Sequence, residues 1–194
     1  MADPPNKTFG FTTPREWLGK MGRELARLES TNVKVDIADH AMNFAWTAWH
    51  MAEWVWLTLA AHEDQAKAIK ANVDATLAGD LDWRTKKPAS RFREYVIRTA
   101  CPELKLCGDI ANEAKHFERR TESVSTVVSA RTPAPFSGLV YMAQNFSHPD
   151  FPQPGVEPVR WIPKIVTPDG KAEAVEKFRV VRDFWARFIK EHAL

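Results

Sequence analysis

The stretch Val35-Asp36-Ile37-Ala38-Asp39-His40-Ala41-Met42-Asn43-Phe44-Ala45-Trp46-Thr47-Ala48-Trp49-His50-Met51-Ala52-Glu53-Trp54-Val55-Trp56-Leu57 decides the fold class. At about 100° per residue, Asp36, Asp39, His40, Asn43, Thr47 and His50 fall on one strip, about a third of the circumference, with Glu53 beside it. Ala41, Met42, Phe44, Ala45, Trp46, Ala48, Trp49, Met51, Ala52, Val55, Trp56 and Leu57 cover the rest. A helix running to about Ala61 with so much apolar surface is the centre of a helical bundle, because an ordinary surface helix carries a broad polar face.

Working outward, Thr13-Pro14-Arg15-Glu16 reads as a capping box with proline at the first helical position, and Trp17, Leu18, Met21, Leu25 and Leu28 follow at helical spacing. This predicts a helix from Pro14 to Glu29, after a flexible N-terminus over 1–12. A third helix is expected from Glu63 to Leu77, closed by Ala78-Gly79-Asp80. Asp82 to Lys87 reads as a loop and Ser90 to Ala100 as a helix that Pro102 breaks; Pro102 then opens another helix running to about Phe117.

Beyond that the texture changes. Ser123 to Arg131, Leu139 to Met142 and Val159 to Val166 read as strands, and the prolines between Thr132 and Pro158 predict a long irregular loop. Thr167-Pro168-Asp169-Gly170 is a turn, and Lys171 to Ala193 an amphipathic helix with Val175, Phe178, Val181, Phe184, Trp185 and Phe188 inward. The expectation is one mainly α domain, 1–194: an up-and-down bundle of five or six helices with a small β-hairpin or three-stranded sheet before the last helix.

Bulk charge names no partner. Lysine and arginine number 27 against 25 acids, a net +2, so any nucleic-acid argument must be local. Cys101 and Cys107 form neither a zinc knuckle nor a disulfide framework, and Met1 to Lys7 lacks the apolar core of a signal peptide, so a reduced, cytoplasmic setting is expected. Asn43, His50 and Glu53 interrupt the apolar stretch Ala41 to Ala61, and its tryptophans are spread along it, so no membrane span is expected.

A second polar strip lies on the helix after Pro102, where Asp109, Asn112, Glu113 and His116 share one side and Leu104, Cys107, Ile110, Ala111 and Ala114 take the other. Facing each other, the two strips would gather histidines and carboxylates, the material of acid–base or metal chemistry. The same residues also fit strips that meet solvent, and His50 fits a hydrogen-bonded core histidine.

Ala111-Asn112-Glu113-Ala114-Lys115-His116 near a helix end resembles the motif of the HEPN superfamily. Its members carry an arginine, commonly followed by a polar residue, and a histidine four to six residues later. The resemblance covers about 15 residues and the helical layout. It implies a dimer that cuts RNA without a metal, often within toxin–antitoxin or phage-defence systems. His116 would be the acid–base group and Asn112 an orienting group, with His50, Glu53 and Asp109 in support. Ala111 stands where the arginine is expected. Arg84, Lys86, Lys87, Arg91, Arg93 and Lys115 are the candidate RNA contacts, and Arg98 extends their cluster.

Two other readings stay open. Glu113-x-x-His116 and the reversed His50-x-x-Glu53 could hold iron or manganese, with Asp109, Asp36 and His40 completing the set. Alternatively, eight tryptophans, four of them between Trp46 and Trp56, could line a groove of a non-catalytic module binding a cognate protein.

Overall fold

The computed structural model describes residues 10–113, 125–131, 160–167 and 170–194. The expected strand at Leu139 to Met142, the loop from Thr132 to Pro158, and Lys115 and His116 lie outside these residues. So do the side chains of Arg84 and Glu113.

The described chain folds as helices with a small sheet before the last of them: α1 (Pro14–Ser30), α2 (Lys34–Ala60), α3 (Glu63–Thr76), α4 (Leu81–Arg84), α5 (Pro88–Thr99), α6 (Leu104–Glu113), β1 (Ser125–Arg131), β2 (Arg160–Thr167), β3 (Gly170–Glu173) and α7 (Ala174–Glu191). The capping box forms as its spacing requires. The Thr13 side chain accepts from the Glu16 backbone amide, and the Glu16 carboxylate accepts from the Thr13 amide at 2.9 Å. Glu16 also accepts from the Thr12 amide at 2.7 Å, and Phe11 packs on Trp17 with ring centroids 5.5 Å apart. Phe11 and Thr12, assigned by sequence to a flexible tail, are therefore tied to α1.

Helix α2 is the axis of the molecule and touches α1, α3, α5, α6, α7 and the sheet. Phe44, Ala45, Ala48, Met51, Ala52, Val55 and Leu59 are buried on it. Phe44 stacks on Phe178 of α7 at 4.3 Å, and Trp185 sits among Phe92, Phe184 and Phe188. Each such aromatic removes a large apolar area from water, so this cluster helps to hold α7, which also packs along α1.

The sheet has the order β1-β2-β3, antiparallel throughout, with Ser125 opposite Val166 and Arg131 opposite Arg160. Its third strand is a difference from the sequence expectation, which began the last helix at Lys171. Lys171, Ala172 and Glu173 favour helix locally, but they pair with Val166, Ile165 and Lys164, and the ladder overrides the preference. Two smaller differences concern helix ends. The start of the expected loop, Asp82 to Arg84, belongs to one short helical turn, Leu81–Arg84, and α6 starts at Leu104 after a tight turn in which the amides of Leu104 and Lys105 bond the carbonyls of Cys101 and Pro102.

Cys101 and Cys107 are free thiols with 1% and 0% relative exposure. Burial pushes the Cys101 thiol up to about 11 and that of Cys107 higher still. The unfolded chain ionises both near the ordinary value of 9, so between pH 9 and 11 the folded state binds more protons and loses stability as pH rises. Cys101 alone should account for about 2 kcal/mol between pH 8 and 10.5. Urea unfolding across that range should show a shallower pH slope in Cys101→Ala than in wild type; equal slopes would mean the thiol ionises in place.

Candidate functional site

The contact between α2 and α6 sets the geometry. A Cβ placed on Gly108 would fall within the van der Waals envelope of the Trp49 ring, so only glycine lets that ring lie on the α6 backbone. Three residues further along α6, the Ala111 carbonyl accepts from the Trp46 indole N–H at 3.2 Å. Trp49 is thus level with Gly108 and Trp46 with Ala111, which makes the two helices antiparallel.

From these contacts the helical period locates the polar strips. On α2, Asn43 and His50 lie about a quarter-turn from the contact line and Asp39 somewhat less, while Glu53 falls on the line itself; on α6, Lys105 and Asn112 lie about a quarter-turn from it, and Asp109 rather more, in the same rotational sense. Seen from one end, antiparallel helices wind in opposite directions. Strips displaced in the same sense therefore emerge on the same side of the pair. Trp46, 42% exposed, lies on the contact line between them, and the space over it is the candidate cleft.

Within the cleft, His50 Nδ1 is 3.9 Å from a Glu53 carboxylate oxygen, and the imidazole meets the edge of Trp46 at 6.3 Å. Side-chain exposure is 37% for His50 and 56% for Glu53. Asp109 accepts from Lys105 at 2.9 Å and is 19% exposed. The antiparallel register puts Asp109 two residues, about 3 Å, from the level of His50 along the axis; Asn112 is about five residues, or 7–8 Å, away. Asn43 is exposed, and its carbonyl accepts from the Thr47 hydroxyl at 2.7 Å.

Arg93 of α5 closes one end. Its guanidinium lies over the Trp49 ring, 4.0 Å from the centroid, and donates to the Trp49 carbonyl at 3.5 Å and to Ser90 Oγ at 3.4 Å. Burial lowers its pKa, and the nearby Glu53 carboxylate opposes that shift. Arg91 and Arg98 of the expected basic cluster are paired: Arg91 with Asp74 at 2.6 Å, and Arg98 with Asp80 at 2.8 Å and Glu94 at 2.6 Å. Lys86 and Lys87 are exposed between α4 and α5.

His40 and Thr47, counted with the α2 strip in the sequence, turn instead to α1. His40 Nδ1 is 2.9 Å from Glu24, whose carboxylate also lies 3.4 Å from Arg27 and 3.9 Å from Lys20. Lys20 donates to Thr47 Oγ1 at 2.7 Å, and its pKa is lowered, chiefly by burial. Glu24 is 6% exposed, so this is a polar cluster inside the α1–α2 interface. Sequence reasoning passed over it. The available signal was Glu24 between Met21, Leu25 and Leu28, an acid on an otherwise apolar face.

No protein-family model, curated protein or solved structure matches the chain. The site must be judged on its own geometry. Among the described residues no three His, Cys, Asp or Glu side chains are grouped as a metal would need, and no helix is long and apolar enough to cross a membrane. Of the alternative metal set, His50 and Glu53 are neighbours, His40 belongs to the Glu24 cluster, and His116 and the Glu113 side chain lie outside the described residues.

Proposed function

We propose that this protein acts on RNA in the cytoplasm at the cleft between α2 and α6, as a HEPN-like helical ribonuclease or RNA-binding protein of a toxin or phage-defence system. The observation that carries the reading is the Gly108–Trp49 contact, because the register it sets brings His50 of α2 and Asp109 and Asn112 of α6 to one side of the helix pair, with Glu53 next to His50. Exposed Lys86 and Lys87 extend positive charge beyond the Arg93 end, the requirement for following a phosphate backbone.

The chemistry consistent with these groups needs no co-reactant. A ribose 2′-hydroxyl attacks the adjacent phosphorus as a base removes its proton; the bond to the 5′-oxygen breaks as an acid protonates that oxygen; the products are a 2′,3′-cyclic phosphate and a 5′-hydroxyl. His116 is assigned as one acid–base group, His50 as the other, with Glu53 orienting the imidazole and Asn112 and Asp109 positioning substrate.

The test is incubation of end-labelled single-stranded RNA with the purified protein in excess chelator. Cleavage leaving cyclic phosphate ends is expected, with a loss of about 100-fold or more in His116→Ala and in His50→Ala. Absence of cleavage by the wild type removes the catalytic half of the reading, and absence of binding removes all of it.

A second reading, a protein-interaction module, is favoured by Val35, Met42, Trp46 and Leu57, each more than 40% exposed along the same side of α2. It predicts a stable protein partner, or a second copy of the chain, and no turnover.

A further inference from the structure

We propose that Arg93 is the anion-binding group of the cleft, holding a phosphodiester oxygen of an RNA strand with guanidinium donors that the protein itself leaves underused. The inference rests on the RNA reading and assigns the cation that the sequence lacks at Ala111.

Three observations converge on this arginine. First, among the described residues no carboxylate stands within ion-pair distance of it, whereas Arg91 and Arg98 on the same helix have partners at 2.6 to 2.8 Å. A partly buried cation without a paired anion is energetically exposed, since burial has removed water and the Glu53 carboxylate, beyond ion-pair distance, offsets only part of that loss. Second, its two hydrogen bonds, at 3.5 and 3.4 Å, are at the long limit for such contacts and go to neutral acceptors. A guanidinium carries five N–H donors in a planar fork that matches two phosphate oxygens, so most of that capacity remains to be used.

Third, the side chain is already oriented. The Trp49 face fixes the plane of the fork at 4.0 Å, so little rotamer freedom is lost when an anion arrives. Trp49 is itself packed on Gly108, so the cation is tied to the α2–α6 pair, with the Glu53 carboxylate near enough to act on it. The lowered pKa agrees with this account: an arriving phosphate supplies the counter-charge that burial has withheld.

The experiment uses the full chain. Binding of a fluorescently labelled single-stranded RNA is measured by anisotropy over a range of salt, binding of inorganic phosphate by calorimetry, in wild type, Arg93→Gln and Arg93→Lys. Arg93→Gln should weaken RNA binding about 10-fold and reduce the slope of log K against log salt by about 1, with Arg93→Lys between it and wild type. An Arg93→Gln protein with wild-type affinity and slope overturns the assignment and leaves the RNA reading standing. Wild type that binds phosphate through Arg93 but not RNA keeps the anion site and overturns the RNA reading. Binding of neither overturns both. Should Arg93→Gln not fold, the Nε–Hε resonance of Arg93 in wild-type protein decides: it should move on adding phosphate or RNA, and a fixed resonance overturns the site.

Discussion

Gly108→Ala should destabilise the protein by about 2–3 kcal/mol. The added methyl would enter the Trp49 ring, which also carries the Arg93 guanidinium, so swinging the ring away would disturb that stack. Relief must come from a shift of α6 along or away from α2, which would also strain the bond from Trp46 to Ala111. Gly108→Val should cost more than Gly108→Ala. Urea unfolding followed by tryptophan emission measures both. A loss below about 0.5 kcal/mol would mean that Trp49 repacks freely and does not set the register of the cleft.

Glu24→Ala should cost a comparable amount, about 2–3 kcal/mol, by stranding the hydrogen-bonding and ion-pair partners of a nearly buried carboxylate, Lys20 among them. Lys20 and His40 have only 27% and 23% of their side chains exposed, so water replaces the lost anion poorly; Arg27, at 57%, contributes little. His40→Ala in the Glu24→Ala background should then cost less than in wild type, because its main partner is already gone. Strict additivity in that double-mutant cycle would show that the 2.9 Å contact carries no stability of its own.

The fates of particular residues show what local sequence encodes. Thr13 to Glu16 could be read in full because a capping box involves only residues within one turn. The core face of α2 was legible for the same reason, its period being a property of one helix. What could not be read were choices made between elements. His40 and His50 are both histidines of one strip, yet α1 covers the first and leaves the second open, a difference that depends on where a neighbouring helix crosses. Likewise Arg91, Arg93 and Arg98 look alike in the chain. Glu94, one turn before Arg98, is a local partner, but only tertiary placement brings Asp74 to Arg91, Asp80 to Arg98 and an indole to Arg93. The edge strand at Lys171 to Glu173 belongs to this class too, since its ladder partner lies across a turn.

The central position of α2 bears on how the molecule opens. A helix packed against α1, α3, α5, α6, α7 and the sheet cannot fray without dissolving several interfaces at once, whereas α3 buries only Ile69 and Val73 and can detach more cheaply. Sub-global fluctuations should therefore begin at the α3 end, and the amides in the middle of α2 should exchange with solvent only when the whole chain unfolds. His50 and Glu53 stand on the last cooperative unit to give way.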